Sequence, residues 1–177
     1  YQTMLDGMPG DVPFMVGVTS ADNLPLRQQL SPFMVQRTPH FNSNQYVYIF
    51  DRVPDGWAEL GLTSVHAFEL PYLFKYPQGF VANYALGLVF LPDYSKPFIG
   101  DLNGNGITGY DGDTADIYAS MRWSSVDDAL MEDVMTTWTN FAKTGNPSTA
   151  SLTWPVYTVA DGNYVRIGPT TTTVNTG

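Results

Sequence analysis

A chain of 177 residues, 44% hydrophobic and 14% aromatic, is long and apolar enough to bury a core, which excludes a disordered tail. Its 17 Asp and Glu against 8 Lys and Arg give a net charge of −9 with no basic run. Nucleic acid and anionic membranes are therefore excluded as partners, because phosphate binding needs clustered cations. The absence of cysteine removes a disulfide framework, a thiolate metal site and a cysteine nucleophile.

In chain order, the first element is a short apolar run at 12–17 (VPFMVG), which reads as a buried strand of a parallel sheet leading into a loop at 18–23. A short helix fits 25–30 inside the Pro- and Gln-containing segment that follows. A second buried strand is expected at 46–50 (YVYIF), which is β-branched and aromatic and bounded by turn residues. Six Pro and Gly residues, from Pro54 to Gly79, mark 51–79 as loop and irregular structure. The apolar stretch 80–100 suits either helix or strand, and the Gly/Asn/Asp-rich stretch 100–113 is a loop.

The clearest helix covers 127–143. Leu130, Val134, Trp138 and Phe141 form one apolar stripe, Ser125 and Asp128 offer a capping start, and Gly145 with Pro147 stops the helix. The stripe reads as core packing. A terminal hairpin is expected between 155–159 and 164–167 around Asp161-Gly162, followed by a frayed Thr-rich end at 170–177. No apolar stretch approaches the ~20 residues of a membrane span, and Tyr1 opens no signal-peptide pattern; the first residue being Tyr rather than Met, an upstream segment is expected. Charged residues make up only 14%, and the polar, uncharged surface this implies suits a secreted or periplasmic protein.

Two histidines limit any acid–base chemistry. His40 follows Pro39 in a polar stretch and reads as a surface residue. His66 stands in GLTSVHAFELPYLF, after the second strand, where loops at the C-terminal ends of parallel strands build the sites of α/β folds. Taken alone, these residues leave two readings of His66 open, a catalytic base and a buried histidine. Asp22 likewise reads either as a site acid or as a turn-former before Asn23.

The segment from His66 through Glu69-Leu70-Pro71-Tyr72-Leu73-Phe74 resembles the one around the triad histidine of the type-B carboxylesterases (the cholinesterase-like family). Three further stretches agree in order. VPFMVGVTSADN resembles the family's strand and acid-bearing loop. YVYIF resembles the strand before the histidine loop. MTTWTNFAKTGNPS with the later WPVYT resembles the C-terminal helix and its sequel. The resemblance spans Pro13 to Tyr157 and implies the C-terminal part of an α/β-hydrolase catalytic domain. It implies a carboxylic ester hydrolase with no catalytic cofactor, in which His66 is the triad base and Asp22 the acid, a place more often held by Glu. Acid before histidine is also the α/β-hydrolase order, which disfavours Asp93 and Asp116.

The chain departs from the family pattern in two ways. No Gly-x-Ser-x-Gly elbow or Gly-rich oxyanion loop occurs in it, and the span from Asp22 to His66 is short where the family inserts several helices, which leaves open a reduced lid or missing residues. An N-terminal part, on the same chain or as a cleaved companion, is therefore expected as partner beside a small-molecule ester substrate. Residues 1–177 alone are expected to be neither active nor stably folded.

One stretch lies outside the resemblance. Asp101, Asn103, Asn105 and Ile107, with Gly106 between them, match the first half of an EF-hand-type calcium loop. Position 12 is Gly112, flanked by Asp111 and Asp113. A structural calcium ion and a plain Gly/Asn turn cluster both remain open. Two rival functions are an inactive cholinesterase-like binding or adhesion protein and a calcium-stabilised secreted binding module.

Overall fold

The computed structural model describes residues 10–22, 24–59, 61–76 and 121–174. Strand β1 (Phe14–Thr19), helix α1 (Leu24–Arg37) and strand β2 (Gln45–Phe50) form a β-α-β unit in which β1 and β2 run parallel, with Gly17 opposite Tyr48. Strand β3 (Tyr164–Ile167) lies parallel on the other side of β2, and β4 (Thr172–Val174) completes the sheet antiparallel to β3. The order is β1-β2-β3-β4. As the inner parallel strand, β2 is buried along nearly its whole length, as its continuous apolar sequence requires.

Alternation along the strands sends side chains to two packed layers. Tyr46, Tyr48, Phe50, Val165 and Ile167 face helix α4 (Ser125–Thr144), whose Leu130, Met131 and Val134 complete the main core. Val47 faces the other way and packs with Met34 of α1 and with Tyr157. Helices thus cover both faces of a mostly parallel sheet, the α/β arrangement expected from the sequence.

Several boundaries differ from expectation. The first helix does not end near Leu30 but runs on through Pro32 to Arg37. The turn beyond the proline buries Met34 and Arg37. The Arg37 guanidinium sits 4.0 and 3.9 Å from the ring centres of Phe14 and Phe41 and bonds Gln45 Oε1 at 2.8 Å. These contacts offset the hydrogen bond that the proline removes. Within 51–79, expected to be irregular, two short helices form, α2 (Asp55–Glu59) and α3 (Leu70–Leu73).

Helix α4 begins two residues earlier than expected. Ser124, not Ser125, is its cap, and its backbone N–H and hydroxyl both reach the Asp127 carboxylate at 3.0 Å. The far end is as expected: Gly145 has φ +73°, and its N–H closes on the Phe141 carbonyl at 2.8 Å.

The terminal hairpin pairs other segments than those expected. Residues 155–159 form no strand, while β3 turns back onto β4, within the Thr-rich end expected to fray. Pro155 lacks an N–H. The Asn163 amide takes the backbone of Thr158 and Val156 instead, at 3.0 and 2.8 Å, so little of that segment's backbone is left for a ladder. The stretch 80–100 lies outside the described residues. So do the calcium-loop candidates Asp101, Asn103, Asn105, Ile107, Asp111 and Asp113.

Candidate active site

The two sequence-predicted catalytic residues meet at the C-terminal ends of the neighbouring parallel strands β1 and β2. Beyond β1 the chain is stitched to β2 and to the histidine loop. Ser20 N–H donates to the Phe50 carbonyl at 2.8 Å, and Ala21 N–H donates to the Ser64 carbonyl at 2.9 Å. Asp22 N–H closes a turn on the Thr19 carbonyl at 3.1 Å, which brings the Asp22 side chain back over the strand ends. The turn reading of Asp22 and the site reading are therefore one geometry.

His66 enters from the loop after β2. Its Nδ1 lies 3.1 Å from Asp22 Oδ1 across 44 residues of sequence. The Asp22 side chain is only 4% exposed, whereas the imidazole is 63% exposed. An ionised carboxylate only accepts, so this pairing puts the histidine proton on Nδ1 and leaves Nε2 as the basic nitrogen. His40 sits exposed in a 3₁₀ turn (Thr38–His40), as its surface reading requires.

A second carboxylate stands near this pair. Glu69 closes the turn that begins at His66, and its Oε2 is buried without a hydrogen-bond partner among the described residues. Burial pushes the Glu69 carboxyl above the usual carboxylate range. A hydrogen bond from its own backbone and the nearby His66 pull the other way, while Asp22 adds to the rise. The Tyr48 phenol is likewise pushed up, by burial first and then by the charges of Glu69 and Asp22. Thr19 Oγ1 is a second buried polar atom lacking a partner among the described residues.

Sequence reasoning missed the buried ion pair behind the histidine loop. Arg52 Nε and Nη2 grip the two oxygens of Asp127 at 2.7 and 2.9 Å, and the Tyr72 hydroxyl donates to the same carboxylate at 2.8 Å. Asp127 is fully buried. Burial works to raise its carboxyl, but the bonds from Arg52, then Tyr72 and Ser124, outweigh it and hold the group below the usual range. Arg52 and Asp127 stand 75 residues apart, a separation that carries no motif.

Among the described residues no group of three or more acidic or histidine side chains is gathered as a metal site. None of their helices is long and apolar enough to cross a membrane. One cavity of about 470 Å³ lies between α4 and 149–171, and another of about 420 Å³ lies beside α1; neither is lined by Asp22 or His66.

Comparison with known proteins agrees with the fold. The model of the Carboxylesterase family matches residues 114–177. A sequence search of curated proteins returns no match. Among solved structures, a thermophilic pNB esterase superposes with a TM-score of 0.56 at 17% identity, covering 98% of this chain and 38% of the esterase. A second pNB esterase gives 0.54 at 16% identity with the same coverage. The chain thus spans about 38% of the length of these structures. The resemblance drawn from its motifs is supported by the family match over residues 114–177, and the chain has the fold of part of an esterase of the α/β-hydrolase type.

Proposed function

We propose that the chain is the C-terminal part of a carboxylic ester hydrolase that works through an acyl-enzyme, with His66 as general base and acid and Asp22 as its orienting carboxylate. The observation that carries this reading is the Nδ1–Oδ1 contact of 3.1 Å at the C-terminal ends of adjacent parallel strands. With its proton held at Nδ1 by Asp22, the imidazole accepts the proton of a serine hydroxyl at Nε2 as the oxygen attacks the ester carbonyl. It then returns that proton to the departing alcohol. The buried Asp22 carboxylate favours the imidazolium formed between these steps, and the exposure of the ring leaves Nε2 open to a nucleophile from outside the described residues.

On this reading the serine and the oxyanion donors belong to an N-terminal part, joined in the same polypeptide or associated after cleavage. Acyl and alcohol pockets would be shaped largely there. A secreted or periplasmic location suits the sparse charge of the surface. In the complete protein, His66→Ala lowers kcat on a p-nitrophenyl ester by at least ~10³-fold, as loss of a triad member does in serine hydrolases. His40→Ala leaves turnover essentially unchanged. Near-normal turnover in His66→Ala would overturn the assignment.

A further inference from the structure

The imidazole hangs from a turn that its own backbone resists. Ala67, next to His66, has φ +66°, in the left-handed region that a residue with a Cβ adopts only under constraint. Such a residue holds its conformation when the chain is fixed on both sides of it.

Both sides are fixed here. On the near side the Ser64 carbonyl accepts from Ala21 N–H, and the Ser64 hydroxyl donates to the Phe50 carbonyl at 3.2 Å. On the far side the turn runs straight into α3, where Tyr72 is 1% exposed. Its ring packs 5.1 Å from that of Phe50 and 4.8 Å from that of Trp123. Its hydroxyl ends on Asp127, which Arg52 grips with two bonds. Arg52 stands two residues beyond the end of β2, and Asp127 lies in the first turn of α4. The far anchor therefore refers the histidine turn to the same strand end as the near anchor.

On the reading of His66 as the base, we propose that the Tyr72–Asp127–Arg52 cluster is the positioning device of the histidine. It holds the left-handed turn at Ala67 against relaxation and so keeps Nδ1 of His66 on Asp22. None of the three side chains bonds the imidazole. They act through the backbone of residues 66–70, and they are positioning residues.

The test compares three variants of the complete protein on a p-nitrophenyl ester. Tyr72→Phe keeps the packed ring and removes only the hydroxyl. It lowers kcat about ten-fold at unchanged KM, within the range of up to about 10²-fold that a small misplacement costs. Ala67→Gly removes the backbone resistance that the anchor opposes, and added to Tyr72→Phe it restores most of kcat. A hydroxyl with a purely structural role would lower the melting temperature without separating kcat from KM, and glycine at 67 would not rescue it. Either result overturns the inference. Should Tyr72→Phe give no soluble protein, Arg52→Lys, which keeps the charge but loses the two-bond grip on Asp127, carries the same expectation and the same rescue. His66→Ala separates the two levels. Activity that survives it overturns the functional reading and this inference together. Activity lost in His66→Ala but kept in Tyr72→Phe overturns the inference alone.

Discussion

Replacing Arg52 by alanine strips the charge that makes the burial of Asp127 tolerable. The carboxylate is fully buried and loses its bonds to Nε and Nη2, at 2.7 and 2.9 Å. Three neutral donors remain, the Tyr72 hydroxyl at 2.8 Å and the Ser124 N–H and hydroxyl at 3.0 Å. Each is worth about 1 kcal/mol net, too little to offset an unpaired buried charge. Breaking a buried pair by removing one partner costs about 3–5 kcal/mol, and the remaining donors place this case near ~3 kcal/mol. The lost contact from Arg52 to Asp55, on a side chain 58% exposed, adds little. The sign of the pH dependence follows from the same groups. In the parent, the depressed Asp127 carboxyl contributes stability above the ordinary Asp value of about 3.9, and that stability is lost as pH falls through its lower folded value. Without Arg52, burial prevails and the carboxyl rises, so the variant recovers stability as pH falls. Urea unfolding of the complete protein at about pH 7 and again at about pH 5 measures both effects. A loss under ~1 kcal/mol at neutral pH, or one that grows on acidification, would refute the reasoning.

Asp22→Asn should leave the fold intact, since the loop is also held by backbone bonds to Phe50 and Ser64. It should lower kcat by about 10³–10⁴-fold, as an orienting acid made neutral does in Ser-His-Asp enzymes; kinetics set beside a circular dichroism spectrum checks both halves. Glu69→Gln should raise the melting temperature at neutral pH. Burial lifts the folded carboxyl above its ordinary value, so its contribution is favourable below that value and lost as pH rises through the lifted one. The gain should vanish as pH falls towards the ordinary carboxylate range, and a gain independent of pH would count against burial as the cause.

The parts of this chain that were legible in the sequence are those in which local pattern and fold agree. Continuous apolar runs gave β1 and β2 because both strands lie in a parallel sheet with helices on its two faces. The stripe Leu130, Val134, Trp138 and Phe141 gave α4 because a single face of that helix meets the core. The contact between Asp22 and His66 was expected only through the segments around them, since their spacing of 44 residues says nothing by itself. The misses are places where tertiary contacts override a local signal. Pro32 reads as a stop, yet the buried turn beyond it carries α1 to Arg37. Asp161-Gly162 reads as a hairpin turn, yet Asn163 takes the backbone that the first strand would have needed. The pairing of Arg52 with Asp127 exists only once β2 and α4 are side by side.

The measurement that bears most directly on the central claim is covalent labelling of the complete protein by an organophosphonate ester, followed by mass spectrometry of its peptides. The account predicts one adduct, on a serine outside residues 1–177, formed at least ~10³-fold more slowly in His66→Ala because that serine depends on the imidazole for activation. An adduct on a serine within these residues, or labelling at the parent rate in His66→Ala, would contradict it.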